Sequence, residues 1–163
     1  KKLSDDNASS LSALKHAIKE FEKKYSKINI FCYLQATEPL RPKKILDNCF
    51  DYVINKKYKS AFAGFIFHKN FWIDENKSSY KSITPVSENG KTRQTRKNIY
   101  RADYGVALVS NRNAVIKKNV LIQKPFKIEP YQEYCGHLDI HSNQDILFGE
   151  MLKKLNKKIK NFK

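Results

Sequence analysis

Glycine and proline are scarce in this 163-residue chain, at five each, and cysteine and methionine are scarcer, at three and one. The glycines are isolated, so no Gly-rich loop able to cradle phosphates lies within the sequence. Cys32, Cys49 and Cys135 have no C-x-x-C spacing and are odd in number. That pattern argues against a disulfide framework or a zinc site. Cys32 and Cys49 sit in apolar runs and read as buried thiols, which suits a reducing, cytoplasmic compartment. No run of about 18 apolar residues occurs, so no membrane-spanning segment is expected. The polar first ten residues carry no secretory-leader pattern.

Acidic residues are also in short supply. Lys and Arg number 32 against 16 Asp and Glu, a formal net charge of +16. Such a balance raises the possibility of nucleic-acid binding. Yet the lysines are spread along the whole chain, with the densest run in "KKLNKKIKNFK" at the end, and no nucleic-acid-binding motif accompanies them. A lysine-rich solvated surface that attracts anionic small molecules such as nucleotides is the favoured reading. With 40% hydrophobic residues, ten Phe and nine Tyr, the chain has enough apolar material for one globular core.

Hydrophobic spacing orders the chain. Leu11, Leu14, Ile18, Phe21 and Tyr25 recur at helical intervals between Ser9 and Lys24. "INIFCYLQ" (Ile28 to Gln35) is a nearly continuous apolar run, as expected of a buried strand. "RPKKILDNCFDYVINKK" places Pro42 at a helix's first turn, with Ile45, Leu46, Cys49, Tyr52 and Val53 on one face. "YKSAFAGFIF" (Tyr58 to Phe67) reads as a second strand. Helix, strand, helix, strand is the alternation of a mostly parallel α/β sheet. Residues 74–98 have no period and read as a long excursion with short strands. "YGVALVS" (Tyr104 to Ser110) is a third strand candidate, "NRNAVIKK" a short helix, and "VLIQKPFKIEP" holds one or two further strands. A closing helix carries Ile146, Leu147, Met151, Leu152, Leu155 and Ile159, with Ser142 and Asp145 as a variant capping box.

Three segments have residues suited to chemistry. In "HLDIHSNQD", Asp139 at a strand end is a normal place to hold a divalent metal against phosphates. The competing reading makes Asp139 the cap of the last helix and leaves His141 exposed. In "HKNFW", Lys69 can pair with an anion while Phe71 and Trp72 wall a pocket, or the aromatics simply pack the excursion. In "TRQTR", Arg93 suits bidentate recognition of a carboxylate, or belongs to a solvated loop. His16 and His137 show no pattern that points to a role.

Taken in order, these segments resemble the acylneuraminate cytidylyltransferases, the CMP-sialic acid synthetases. "LSDDNASSLSALKHAI" resembles the family's Leu-Ser/Ala-x-Asp-x-Ala-Ser segment and its helix. "YLQATEPLRP" is similar to its Leu-Gln-Pro-Thr-Ser-Pro-Leu-Arg motif, differing at Ala36 and Glu38. "HKNFW", then Arg93 and Gln94, then "LDIHSNQDILFGE" complete the set.

The resemblance implies an α/β, Rossmann-like doubly wound sheet, one domain over 1–163, with residues 74–98 as an inserted dimerisation arm. It implies a nucleotidyltransferase in which the anomeric hydroxyl of a nonulosonic acid attacks the α-phosphate of CTP, aided by Mg²⁺. On that basis Ser10 and Gln35 would contact the nucleotide, with Gln35 also beside the sugar. Lys69, Arg93 and Gln94 would face the sugar acid, with Arg93 and Asp139 as the catalytic pair. Asp139 would hold the metal, while Arg41, beside Pro42, would anchor its turn. His141 replaces the family's second metal-side Asp. The family's first strand and triphosphate loop would precede Lys1. Two alternatives stay open: a non-catalytic sugar-acid-binding remnant, and a basic nucleic-acid-binding domain. Which nonulosonic acid is taken is not legible, although Kdo-type transfer is the poorer match.

Overall fold

A computed structural model describes residues 8–77, 79–133, 136 and 138–161. Cys135, His137 and the Leu3–Asn7 part of the first motif lie outside them. Helix α1 spans Ser10–Lys24 and begins where Ser9 accepts a hydrogen bond from the Ser12 N–H at 3.1 Å. That bond satisfies one of the unpaired amides of the first turn. Strand β1 is Ile30–Tyr33, helix α2 Ile45–Ile54 and strand β2 Ser60–Phe67. Pro42 falls before α2 and not within its first turn, because Lys44 takes up the left-handed cap position at φ 62°. Short strands β3 (Trp72–Asp74) and β4 (Tyr80–Ser82) pair as a hairpin inside the excursion. Strand β5 is Ile99–Asn111, followed by α3 (Arg112–Ile116), β6 (Phe126–Tyr131) and α4 (Asn143–Asn161).

The main sheet has the order β1-β5-β2-β6. Strands β1, β2 and β6 run the same way, and β5 runs antiparallel between β1 and β2. The sheet is mostly parallel, as expected, and β5 is its one antiparallel strand among the described residues. A parallel neighbour requires a crossover, usually helical. The chain leaving β2 at Phe67 has no α-helix among its described residues before Ile99, with which Phe67 pairs. The long excursion is thus the loop of an antiparallel pair.

Strand β1 divides the core by alternation. Ile30 and Cys32 pack with α2 residues Ile45, Cys49 and Val53, together with Ala61, Ala63, Phe65, Val106 and Val109. Phe31 and Tyr33 point the other way, toward Ile18 of α1 and Val115 of α3. Cys32 and Cys49 are free thiols. Burial pushes Cys49 up to about 12, so it behaves as a small apolar side chain. The closing helix differs from expectation in how little it hides. Leu152 is buried, whereas Leu147, Met151 and Leu155 are at least half exposed. Its start is as expected, since Asp145 accepts hydrogen bonds from the Ser142 N–H and hydroxyl, each at 2.8 Å.

Buried polar groups in the sheet are paired. Ser60 and Ser110, both fully buried, share a 2.7 Å hydrogen bond, and Ser60 Oγ also accepts from the Gln123 N–H at 2.8 Å. Replacing Ser60 with Ala strands both partners and is expected to lower stability by about 1–3 kcal/mol. Urea unfolding followed by circular dichroism checks this; an unchanged midpoint would remove the pair from the core's energetics.

Candidate functional site

The register of β5 breaks at one place. Phe62 pairs with Leu108 and the next residue, Ala63, with Asp103, so Tyr104 to Ala107 are looped out of the ladder. This irregularity lies beside the "LQATEPLRP" turn, and the two hold each other. The Gln35 N–H donates to the Gly105 carbonyl at 2.9 Å. Arg41 donates through Nε to the Val106 carbonyl at 3.0 Å and through Nη2 to the Gln35 carbonyl at 2.8 Å. A 3.3 Å bond from the same Nη2 to the Gly105 carbonyl completes the clamp. Arg41 anchors the turn, as expected.

Gly105 makes the close approach possible. A Cβ built there would lie 1.8 Å from Glu38 Oε2 and 2.3 Å from Gln35 Oε1. Gln35, Glu38, Arg101, Asp103, Gly105 and Asp139 line a cavity of about 270 Å³ at this point. Asp103, 5% exposed, takes two hydrogen bonds from Arg101, at 2.6 and 2.9 Å, and one from the Tyr131 hydroxyl. Arg101 also donates to the Gly136 carbonyl. Glu38 is 8% exposed, and its carboxylate has no hydrogen-bond partner among the described residues. Burial, reinforced by Asp103 and Asp139 and opposed by Arg101 and Arg41, pushes Glu38 up to about 7. Asp139 is half exposed and pairs with His141 at 2.9 Å. It does not cap α4, because Ser142 and Asp145 do.

A second, larger cleft of about 510 Å³ lies at the end of β2, lined by Phe65, Phe67, His68, Lys69, Lys91, Arg93, Arg96 and Gln132. Its loop is fixed by Glu88, 4% exposed, which binds Lys91 at 2.9 Å and the Lys97 N–H at 3.1 Å. Arg96 donates to the His68 carbonyl at 2.9 Å, tying the same loop to β2. Lys69 and Arg93 make no ion pair among the described residues, so the cleft keeps uncompensated positive charge. Phe65 and Phe67 wall it, where Phe71 and Trp72 were expected. Arg101 touches both: it lines the smaller cavity, and its guanidinium lies 5.3 and 5.5 Å from the Phe65 and Phe67 ring centroids of the larger.

The expected site residues are therefore distributed as follows. Gln35 and Asp139 share the smaller cavity, while Lys69 and Arg93 share the larger. Gln94 is exposed in the turn after Arg93, and Ser10 is exposed at the start of α1; neither lines a cavity described here. Sequence reasoning missed Arg101, Asp103 and the role of Glu38. One signal pointed there: an isolated glycine within a strand pattern, Gly105, marks a bulge or a close backbone approach.

No family model matches the chain. Pseudaminic acid cytidylyltransferase of Campylobacter jejuni (strain 81-176) is 28% identical over 163 residues, which is 96% of this chain and 67% of that protein. N-acylneuraminate cytidylyltransferase A of Danio rerio is 26% identical over 122 residues, 75% of this chain and 26% of that protein. The chain is a homologue of the acylneuraminate cytidylyltransferases. It spans about two thirds of the length of its bacterial relative and about a quarter of the fish one. Among solved structures, 4-diphosphocytidyl-2C-methyl-D-erythritolsynthase from Anaerococcus prevotii matches with a TM-score of 0.60 at 9% identity. The match covers 87% of this chain and 65% of that one, and shows the same fold.

Adding a methyl group at Gly105 tests how tightly this site is built. Gly105→Ala is expected to destabilise the chain by about 1–3 kcal/mol, the usual cost of overpacking. Thermal unfolding of this variant measures it, and an unchanged melting temperature would show that the Gln35–Glu38 turn yields freely.

Proposed function

We propose that this chain carries the acceptor side of a nucleotidyltransferase that activates a nonulosonic acid with CTP, giving the CMP-sugar and pyrophosphate. The homology supports this reading, and one observation in the structure carries it. An anion-attracting cleft at the end of β2 and an acidic cavity at the break in β5 are linked by Arg101, which lines the acidic cavity and stacks on Phe65 and Phe67 of the cleft. A reaction between an acidic sugar and a metal-bound nucleotide needs both environments adjacent.

In this reading Lys69 and Arg93 bind the sugar's carboxylate, with Gln94 supporting them from the neighbouring turn. Arg93 supplies a planar fork of donors, which matches a carboxylate better than a point charge does. Gln35 contacts the nucleotide or the sugar at the junction, held in place by the Gly105 and Arg41 hydrogen bonds. Ser10 serves the nucleotide from the start of α1. Mg²⁺ offsets the charge of the phosphates when bound. Asp139 fits that ion's preference for hard oxygen ligands, since Mg²⁺ is usually held by one or two carboxylates with phosphates and water completing its shell.

The excursion over 74–98 is the arm through which two copies associate. Trp72, Ile73, Tyr80, Ile83 and Val86 are all more than half exposed on or beside the β3–β4 hairpin. A two-stranded hairpin with no core of its own is marginal unless another surface covers it. The assignment also includes a cytoplasmic location; no helix of the described residues is long and apolar enough to cross a membrane.

Pyrophosphate release from CTP and Mg²⁺ with a panel of nonulosonic acids tests the activity. Sugar-acid binding without turnover would favour the remnant reading. Arg93→Ala should weaken sugar-acid binding by about 1.5–3 kcal/mol, the scale for a hydrogen bond to a charged group. Calorimetric titration measures it, and equal affinity would take Arg93 out of the cleft. For the arm, sedimentation equilibrium at micromolar concentration should show a dimer that Trp72→Ser with Tyr80→Ser dissociates. A monomeric parent chain would refute that part.

A further inference from the structure

We propose that Glu38 is the second carboxylate of the divalent-metal site, facing Asp139 across the acidic cavity. The inference rests on the cytidylyltransferase reading, from which Asp139 takes its role. The chain departs from the family's motifs at two relevant positions. Glu38 stands where the motif has Ser, and His141 stands where it has a second Asp. These positions are about a hundred residues apart in sequence. The fold brings them together. The Ile140 N–H donates to the Thr37 carbonyl at 2.8 Å, so the residue after Asp139 is bonded to the residue before Glu38.

Within the cavity the carboxylates are not equivalent. Asp103 is already engaged by Arg101 and Tyr131. Asp139 has one oxygen on His141, at 2.9 Å, and half of its side chain in solvent. Glu38 alone is 8% exposed, lines the cavity and has no hydrogen-bond partner among the described residues. A carboxylate that lines a cavity with no protein donor is left to whatever the cavity holds. A divalent cation is the partner that satisfies it, and a Glu–Asp pair supplies the two hard ligands that Mg²⁺ commonly takes from protein. His141, bonded to Asp139, then orients that ligand from outside instead of binding the ion. The carboxylate lost at 141 has in effect been moved to 38.

Mn²⁺ binding to this chain, read from the loss of the free-ion electron paramagnetic resonance signal, tests the proposal without relying on turnover. Glu38→Gln and Asp139→Asn should each weaken binding at least tenfold. Adding His141→Asp to Glu38→Gln should restore most of it, because the carboxylate returns to the position the family uses. Circular dichroism monitors folding, and Glu38→Asp replaces Glu38→Gln if the latter unfolds, with an intermediate affinity expected. Parental affinity in Glu38→Gln, with loss in Asp139→Asn, would overturn the proposal while leaving the functional reading intact. Parental affinity in both variants, or no Mn²⁺ binding by the parent chain, would overturn it as well. Pyrophosphate release measured in parallel then shows separately whether the functional reading survives.

Discussion

The clamp between Arg41 and the looped-out residues of β5 is the constraint on which the rest of the site depends. A strand that skips four residues leaves its amides and carbonyls without ladder partners, and buried backbone groups must find others. Here three carbonyls, of Gln35, Gly105 and Val106, turn to one guanidinium. Lysine offers no such fork and leaves the geometry of the break undetermined. The break, in turn, follows directly on Asp103, which is still paired with Ala63, and brings Gln35 and Glu38 against Gly105. Without it β5 would continue past β1 as an ordinary strand, and no cavity would form at the junction.

Arg101 then organises the charges. A chain with net charge +16 has little acid to spend, yet three carboxylates meet in one cavity of about 270 Å³. The arginine neutralises one of them, Asp103, and lays its apolar faces on Phe65 and Phe67. It thereby belongs to both cavities while exposing charge to neither in full. Lys69 and Arg93 beyond it remain unpaired among the described residues, so opposite potentials persist a short distance apart. In bulk water such fields are screened within about 10 Å at 0.1 M salt; cavity walls preserve them.

Much of the architecture was legible because it follows from spacing. Apolar periodicity located α1, α2, β1 and β2 to within a few residues, and the Ser142–Asp145 pair marked the start of α4. The direction of β5 was not legible, since an apolar run carries no record of which neighbour it will meet or from which end. Only the lack of a helical segment between Phe67 and Ile99 decides that, and it does so through topology. The site was legible in pieces. Gln35 follows strand β1 as expected, and Lys69 and Arg93 stand out by their charge, but Asp139, expected at a strand end, lies in a segment (138–140) that forms no strand. That these residues fall into two cavities involves Arg101, which lies ahead of the strand expected over Tyr104 to Ser110 but inside β5 as it forms, Ile99–Asn111. Leu147, Met151 and Leu155 show the opposite failure: helical spacing identified an apolar face correctly but says nothing about what covers it.

Glu38 is where local and global preferences conflict. Glu38 is 8% exposed, lines the cavity and draws no donor from the turn that carries it. Arg101 and Arg41 favour its ionised form, but Arg41 hydrogen-bonds backbone carbonyls and Arg101 pairs with Asp103. The residual burden appears as a carboxyl shifted to about 7, which means the fold alone does not fully stabilise the ionised form. Sequences that specify a structure agree across levels except at functional positions, where strain is retained for a purpose. By that criterion the stretch from Leu34 to Pro42 combines two roles. Its arginine serves the fold by closing the break in β5, and its glutamate serves nothing in the fold that can be identified. A group held at a cost, lining a cavity and lacking a partner belongs to whatever enters that cavity.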